Sequence, residues 1–382
     1  QWMIDLNDSL LTRGYMVEYY FSAMDVAGDV TTLPEGGVGG AAGSGIVTGP
    51  ERMFEFTCLP TGQSSALYVD DFDGRGSFEG IAQLYLENTF QAVWVPSSQP
   101  DRYDVNSPSS MVGNGLASRA KLNQLIYNDT DISGYREIIW DSGDLDVGTI
   151  GDGNPTYEKT DDCSLLIDWM DQSENDVGLL VCGDNIAYDL SQNLGSPQAL
   201  TLMNTWCGTN YVANSYLELT DGFEGGGIVN PSITAAGAGI FNGLPSFYAF
   251  GGCPLLSAFD VLDTLNLGEQ ALLYPEYEGE TYAAGIRGQW TNSGDFTART
   301  VWLGFSWMGI RDEDCQEPII RNLLFNKISM WIGGSENMDI TGSETPLAYS
   351  LSQNFPNPFN PTTTVRFDIR KRGQVSLRIY NV

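Results

Sequence analysis

Three short acidic runs carry the residues best suited to chemistry. Asp70-Asp71-Phe72-Asp73-Gly74-Arg75-Gly76 lies at the end of an apolar strand, Ala66 to Asp70. Asp141-Ser142-Gly143-Asp144 follows the strand Glu137 to Trp140, and Gly183-Asp184-Asn185 follows Gly178 to Cys182. In an open α/β sheet the carboxyl ends of the strands form one ligand-binding rim, so the three runs are expected to converge there. Paired carboxylates on that rim fit acid–base cleavage of a glycosidic bond, with Asp184 among the candidate groups. They equally fit calcium, which takes several hard oxygen ligands, and Asp71, Asp73 and Asp144 are the candidate ligands. The Asp-x-Asp-Gly run is shorter than an EF-hand loop and lacks its distal glutamate. A third reading stays open beside these: aspartate and glycine fill turns and helix caps for conformational reasons alone.

None of the 382 residues is a histidine. A serine or cysteine nucleophile needs a neighbouring base or cation, and near neutral pH histidine is the usual supplier. Ser-His-Asp hydrolysis, Cys-His proteolysis and histidine-ligated metal centres are therefore excluded, while carboxylate chemistry survives. The six cysteines, Cys58, Cys163, Cys182, Cys207, Cys253 and Cys315, show no Cys-x-x-Cys spacing, which speaks against zinc. In an oxidising exterior some of them are expected to pair. Cys182 lies in an apolar run, where a small buried hydrophobe is the plain role. Cys253, between Gly252 and Pro254, reads as a packed thiol or half of a disulfide at a tight turn. Gly222 to Gly227 lacks the Lys-Ser/Thr that completes a phosphate loop. Trp290, Trp302 and Trp307 offer faces for sugar rings, although the strand position of Trp302 favours core packing.

The formal net charge is −31. Such a field repels nucleic acid phosphates and anionic lipid, so neither is an expected partner. No apolar stretch reaches the roughly 18 residues of a membrane span. The chain opens at Gln1 with no basic and apolar leader, so it is read as a mature form or a fragment.

The elements that must hold the acidic runs follow from periodicity. Residues 1–60 read as strands, with Met16 to Met24 as one, a turn at Asp25 to Asp29, and Arg52 to Leu59 as another. From Ala66 onward, short apolar strands alternate with helices. Phe78 to Phe90 is expected as a helix with Ile81, Leu84 and Tyr85 on one face, Ala92 to Val95 as a strand, and Leu116 to Tyr127 as a helix. Asp161 to Met170 is a helix capped by Asp161 or Asp162, with Leu165, Leu166 and Trp169 inward. After a long middle, Gly195 to Tyr282, the unit closes with Thr300 to Ser306 and a helix over Glu317 to Ile332. That order predicts an α/β fold: a doubly wound, mostly parallel sheet with helices on both faces.

Three resemblances bear on this plan. The Tyr19-Tyr20-x-x-Ala23-x-Asp25 region resembles the closing strands of immunoglobulin or fibronectin-like sandwiches, of which residues 1–60 would be the C-terminal part. The runs YREIIWDSGDL (from Tyr135), LLIDWMDQSENDVGLLVCGDNI (from Leu165) and RTVWLGFSWMGI (from Arg299) resemble the class I glutamine amidotransferase-like superfamily, flavodoxin-like in fold, over residues 61–340. The resemblance implies a cysteine nucleophile on a sharp turn, and Cys182 is the positional match. Without histidine, and without the family's Gly-x-Cys-x-Gly elbow, it implies a noncatalytic version. The tail TPLAYSLSQNFPNPFNPTTT, from Thr345, is similar to type A sorting domains of type IX secretion in Leu351, Gln353 to Pro361 and Thr362. Residues 341–382 would then be the first part of such a β-sandwich, with the secretion machinery as partner and the cell surface or exterior as destination.

The expectation for the whole chain is a secreted or surface module for binding, adhesion or assembly, meeting an extracellular protein or glycan. The alternative is an extracellular hydrolase of glycans or peptides working with the rim carboxylates.

Overall fold

The computed structural model describes residues 16–33, 64–72, 79–94, 100–105, 135–154, 161–220, 231–237, 239–249, 259–311 and 319–334, with strand pieces at 38–39, 47–48, 54–57, 350–351 and 367–368. The chain divides into two compact units, Gln1–Thr61 and Gly62–Val382.

In the first unit, Met16–Tyr19 pairs antiparallel with Phe54–Thr57, and Phe21–Met24 with Val30–Leu33. The single strand expected over Met16 to Met24 is thus divided at Tyr20, and its halves take different partners. The turn between Met24 and Val30 is built by Asp25, whose Oδ1 accepts the amides of Ala27 and Asp29. Gly28 there takes a left-handed φ of 91°, open to glycine at no steric cost.

The second unit holds a sheet of eleven strands among the described residues. They are β1 (Ala66–Asp70), β2 (Asp101–Asp104), β3 (Glu137–Asp141), β4 (Val177–Cys182), β5 (Thr209–Ala213), β6 (Ser232–Ala235), β7 (Phe247–Tyr248), β8 (Val261–Thr264), β9 (Gly268–Leu273), β10 (Ala283–Thr291) and β11 (Thr297–Leu303). Strands β2, β1, β3, β4 and β11 lie side by side in that order, all parallel. The order reverses direction between β1 and β3, which is the switch point of a doubly wound sheet. Beyond β11 the sheet continues antiparallel through β10, β9, β6 and β7, while β8 pairs with β10 and β5. The chain from β5 to β10 is therefore an insertion that widens the sheet.

The parallel strands are apolar on both faces because helices cover both. Ile139, Leu180, Cys182, Val301 and Leu303 point to one side, where they meet Leu86 and Phe90 of α1 (Glu79–Val93) and Leu324, Phe325 and Ile328 of α3 (Ile319–Ile332). Ile138, Trp140, Leu179, Val181 and Trp302 point to the other, against Leu166, Trp169 and Met170 of α2 (Asp162–Gln172). Fully burying each such side chain contributes about 1.5–3 kcal/mol, so the strands are fixed from both sides. Asp161 caps α2 by accepting the amide of Ser164 at 2.9 Å.

Two expectations fail here. Ala92 and Val93 finish α1 instead of starting a strand, and Trp94 stacks on Phe90 and meets Phe325. The neighbouring parallel strand is the charged run Asp101–Asp104. On α1 the buried face is Ala82, Leu86 and Phe90, and Leu84 is exposed. The helix expected over Leu116 to Tyr127 lies outside the described residues. In the tail, Ser350–Leu351 pairs antiparallel with Phe367–Asp368; the rest of residues 341–382 lies outside the described ones. Among the described residues no helix is long and apolar enough to cross a membrane.

Candidate functional site at the carboxyl rim

The ends of β1, β3 and β4 are bonded to one another, so the acidic runs do converge. The Asp71 amide donates to the Asp141 carbonyl at 2.9 Å, and the Ser142 amide to the Cys182 carbonyl at 3.0 Å. The Asp184 amide donates to the Gly143 carbonyl at 2.9 Å, and the Asp260 amide to the Asp184 carbonyl at 2.9 Å. Gly143 has φ of 55°, and a β-carbon there would fall 2.4 Å from the Phe72 ring, so only glycine fits this crossing.

The side chains are spent on the same task. Ser142 Oγ donates to Asp71 Oδ2 at 2.9 Å, and Trp140 Nε1 donates to Ser142 Oγ and the Thr149 carbonyl. Asp184 Oδ1 accepts the Ser306 amide at 2.6 Å. Asp260 Oδ2 accepts the Ala187 amide at 2.7 Å, which caps the helical segment that begins at Ile186. Asp189 Oδ2 accepts both the amide and the hydroxyl of Thr149. Asp71, Asp141, Asp184 and Asp260 are each at most 1% exposed. Removal from water raises the pKa of Asp184 and Asp260 well above the aspartate range; backbone amide donors offset this, and neighbouring carboxyls add to it. Asp144, which is half-buried, is also raised, first by desolvation.

Cys182 is the last residue of β4, paired with Asp141 and Leu303, and the turn that follows begins at Gly183. Its Sγ is 3.4 Å from the Trp140 carbonyl and 3.6 Å from Asp141 Oδ1, both as acceptors of the thiol proton. Burial pushes this thiol well up, and the nearby Asp141 pushes it further. A nucleophilic thiol needs the opposite shift. Cys163 and Cys207 are also free and buried; Cys58, Cys253 and Cys315 lie outside the described residues.

Of the candidate calcium ligands, Asp71 is tied to Ser142, Asp144 stands in the β3–α2 loop, and Asp73 lies outside the described residues. Among the described residues no three His, Cys, Asp or Glu side chains are grouped to hold a metal ion. Of the aromatic candidates, Trp302 and Trp307 are fully buried in the core, and Trp290 is half-buried against Trp206.

The sequence reading missed Arg102, Tyr68, Ser306 and Asp260. Arg102 joins three carboxylates: Asp104 at 2.6 Å, Glu87 at 3.1 Å and Asp70 at 3.3 Å. A signal for it existed, because Arg102 and Asp104 alternate on one face of a strand that carries little else.

No family model matches this chain, and no curated protein does. Among solved structures, it is similar to the crystal structure of a ThuA-like protein from Bacteroides uniformis, at 11% identity and a TM-score of 0.40, over 74% of this chain and 95% of that one. A likeness of that size carries no argument about the site. The mixed α/β architecture with a central parallel region rests on the strand pairings themselves.

Proposed function

We propose that this chain is a noncatalytic binding module of an exported protein. The observation that carries the reading is the state of Cys182: it is fully buried at the end of a strand, and its thiol is a hydrogen-bond donor toward the Trp140 carbonyl and Asp141. The absence of histidine from the whole chain removes the usual base. Support also comes from the rim carboxylates, which accept internal hydrogen bonds where a hydrolase would present them to substrate. With Asp71, Asp141 and Asp184 out of solvent contact, these three are not presented as the acid and base of a glycosidic cleavage.

In this reading residues 1–60 and 341–382 belong to flanking β-sandwiches, and the Asn-Pro-rich tail delivers the protein to the cell surface by type IX secretion. The ligand is an extracellular protein or glycan. The test is to incubate the purified chain with insoluble polysaccharides and denatured protein, measuring retention together with released reducing ends and amines. Retention without turnover is expected, and unchanged in Cys182→Ser. Turnover that disappears in Asp184→Asn would establish the hydrolase instead.

A further inference from the structure

At the carboxyl end of the sheet, one rung places acids on adjacent strands. Asp104 on β2 pairs in register with Asp70 on β1, Asp70 with Asp141 on β3, and Asp141 with Cys182 on β4. Strand alternation puts all four side chains on the face covered by α1 and α3, together with Tyr68, Ile139 and Leu180. Arg102, one step back on β2, pairs with Asp104, Asp70 and Glu87. Among the described residues no basic side chain pairs with Asp141. Its Oδ1 accepts the Gly143 amide at 3.1 Å and the Cys182 thiol. Its Oδ2 is buried with no hydrogen-bond partner.

The groups around Asp141 make a charge there costly. Burial comes first, then the acids nearby: Asp144 and Asp184 from the two rim loops, and Tyr68 and Asp70 from β1; only the Gly143 amide and the Cys182 thiol, as donors, favour the charge among the described residues. Arg102 on β2 is engaged with its own three partners. Among the described residues a bare carboxylate here has neither a cation nor a full set of donors.

We propose that Asp141 is folded as a neutral carboxylic acid, a proton standing where a counter-ion would otherwise be required, and that its ionisation loosens the rim joining β1, β3 and β4. Desolvation agrees with this, raising its pKa to about 6. The unfolded chain holds the same group near 3.8. The folded state therefore binds the extra proton between those values. The resulting stability is complete below about pH 4 and is lost as pH rises through about 6. The rim becomes a proton-linked clamp, firmer in acid than at neutral pH.

The experiment compares wild type with Asp141→Asn, which keeps the shape and removes the charge. Tm is measured from pH 5 to 8 in the presence of chelator, alongside site-resolved alkylation of Cys182 by iodoacetamide. The Tm difference should grow with pH, with the variant a few degrees the more stable at pH 8. Alkylation of Cys182 should be faster in wild type than in the variant at pH 8 and equal at pH 5. A Tm difference that does not change with pH, or a variant less stable at pH 8, would overturn the proposal. Should the variant fail to fold, the carbon-13 shift of the Asp141 carboxyl in wild type decides: a midpoint near 6 supports the clamp, and one at or below 4 refutes it.

Discussion

Cys182 and Asp141 face each other across the β3–β4 ladder, in register, with the thiol sulfur 3.6 Å from the carboxyl oxygen Oδ1. In a thiol enzyme a neighbouring group withdraws the sulfur's proton. Here burial and the adjacent acid keep it in place, and the thiol acts as a donor to the carboxyl. That relationship makes the residue a packing and hydrogen-bonding element of the rim, and the following consequences can be measured.

Cys182→Ala should lower stability by about 1–2 kcal/mol, the cost of a small buried side chain and a weak hydrogen bond, and leave ligand retention intact. Urea unfolding gives the first quantity and polysaccharide pull-down the second. Loss of retention in a variant that still unfolds cooperatively would give the thiol a functional role.

Arg102→Met should be among the most damaging changes, at roughly 3–5 kcal/mol, because buried Asp70 and part-buried Asp104 both lose the Arg102 guanidinium. Arg102→Lys keeps one charge but loses the planar fork, so it should recover only part of that. Chemical denaturation of the two variants side by side checks the order. Equal stability of wild type and Arg102→Met would show that the pairs contribute nothing net.

Gly178→Ala should displace α3. A β-carbon at this position in β4 would lie 2.4 Å from both the Cβ and the backbone oxygen of Ile332, too close for any real contact. A loss of a few kcal/mol is expected, typical of overpacking against backbone. Hydrogen exchange should show the effect first in Ile319–Ile332; an unperturbed helix would contradict the packing described.

The domain as a whole should melt higher at pH 5 than at pH 8. Burial raises Asp184 and Asp260, and it raises Glu137, at the opposite end of β3, to about 7. Each raised acid adds stability at low pH that fades as pH climbs through its folded pKa. Calorimetry over this range tests the sign. A Tm that rises steadily toward pH 8 would mean that these groups are charged and paired in the fold.

Much of the parallel region was legible because its strands are near-continuous apolar runs, as in Ala66–Asp70 and Val177–Cys182, and Asp161 announces α2 as a cap. The convergence of the acidic runs also followed from strand order alone. Their burial did not. Asp141 and Asp184 stand beside Gly143 and Gly183, a composition that suggests exposed turns, yet the fold buries both and ties Asp184 to the amides of Ser306 and Asp260. Ala92–Val95 misled because a short apolar run has no period to distinguish strand from helix end. Asp101–Asp104 was invisible as a strand because edge strands are protected by charge, which hides the usual pattern.

The central claim is that Cys182 is an inert structural thiol, and native-state alkylation at pH 7 followed by peptide mass spectrometry addresses it directly. The account predicts that Cys182 reacts at least a hundredfold more slowly than the same peptide after unfolding, corresponding to local opening of roughly 3 kcal/mol or more. Labelling in the folded protein as fast as in the unfolded peptide, or faster, would reveal an accessible, activated thiolate and contradict it.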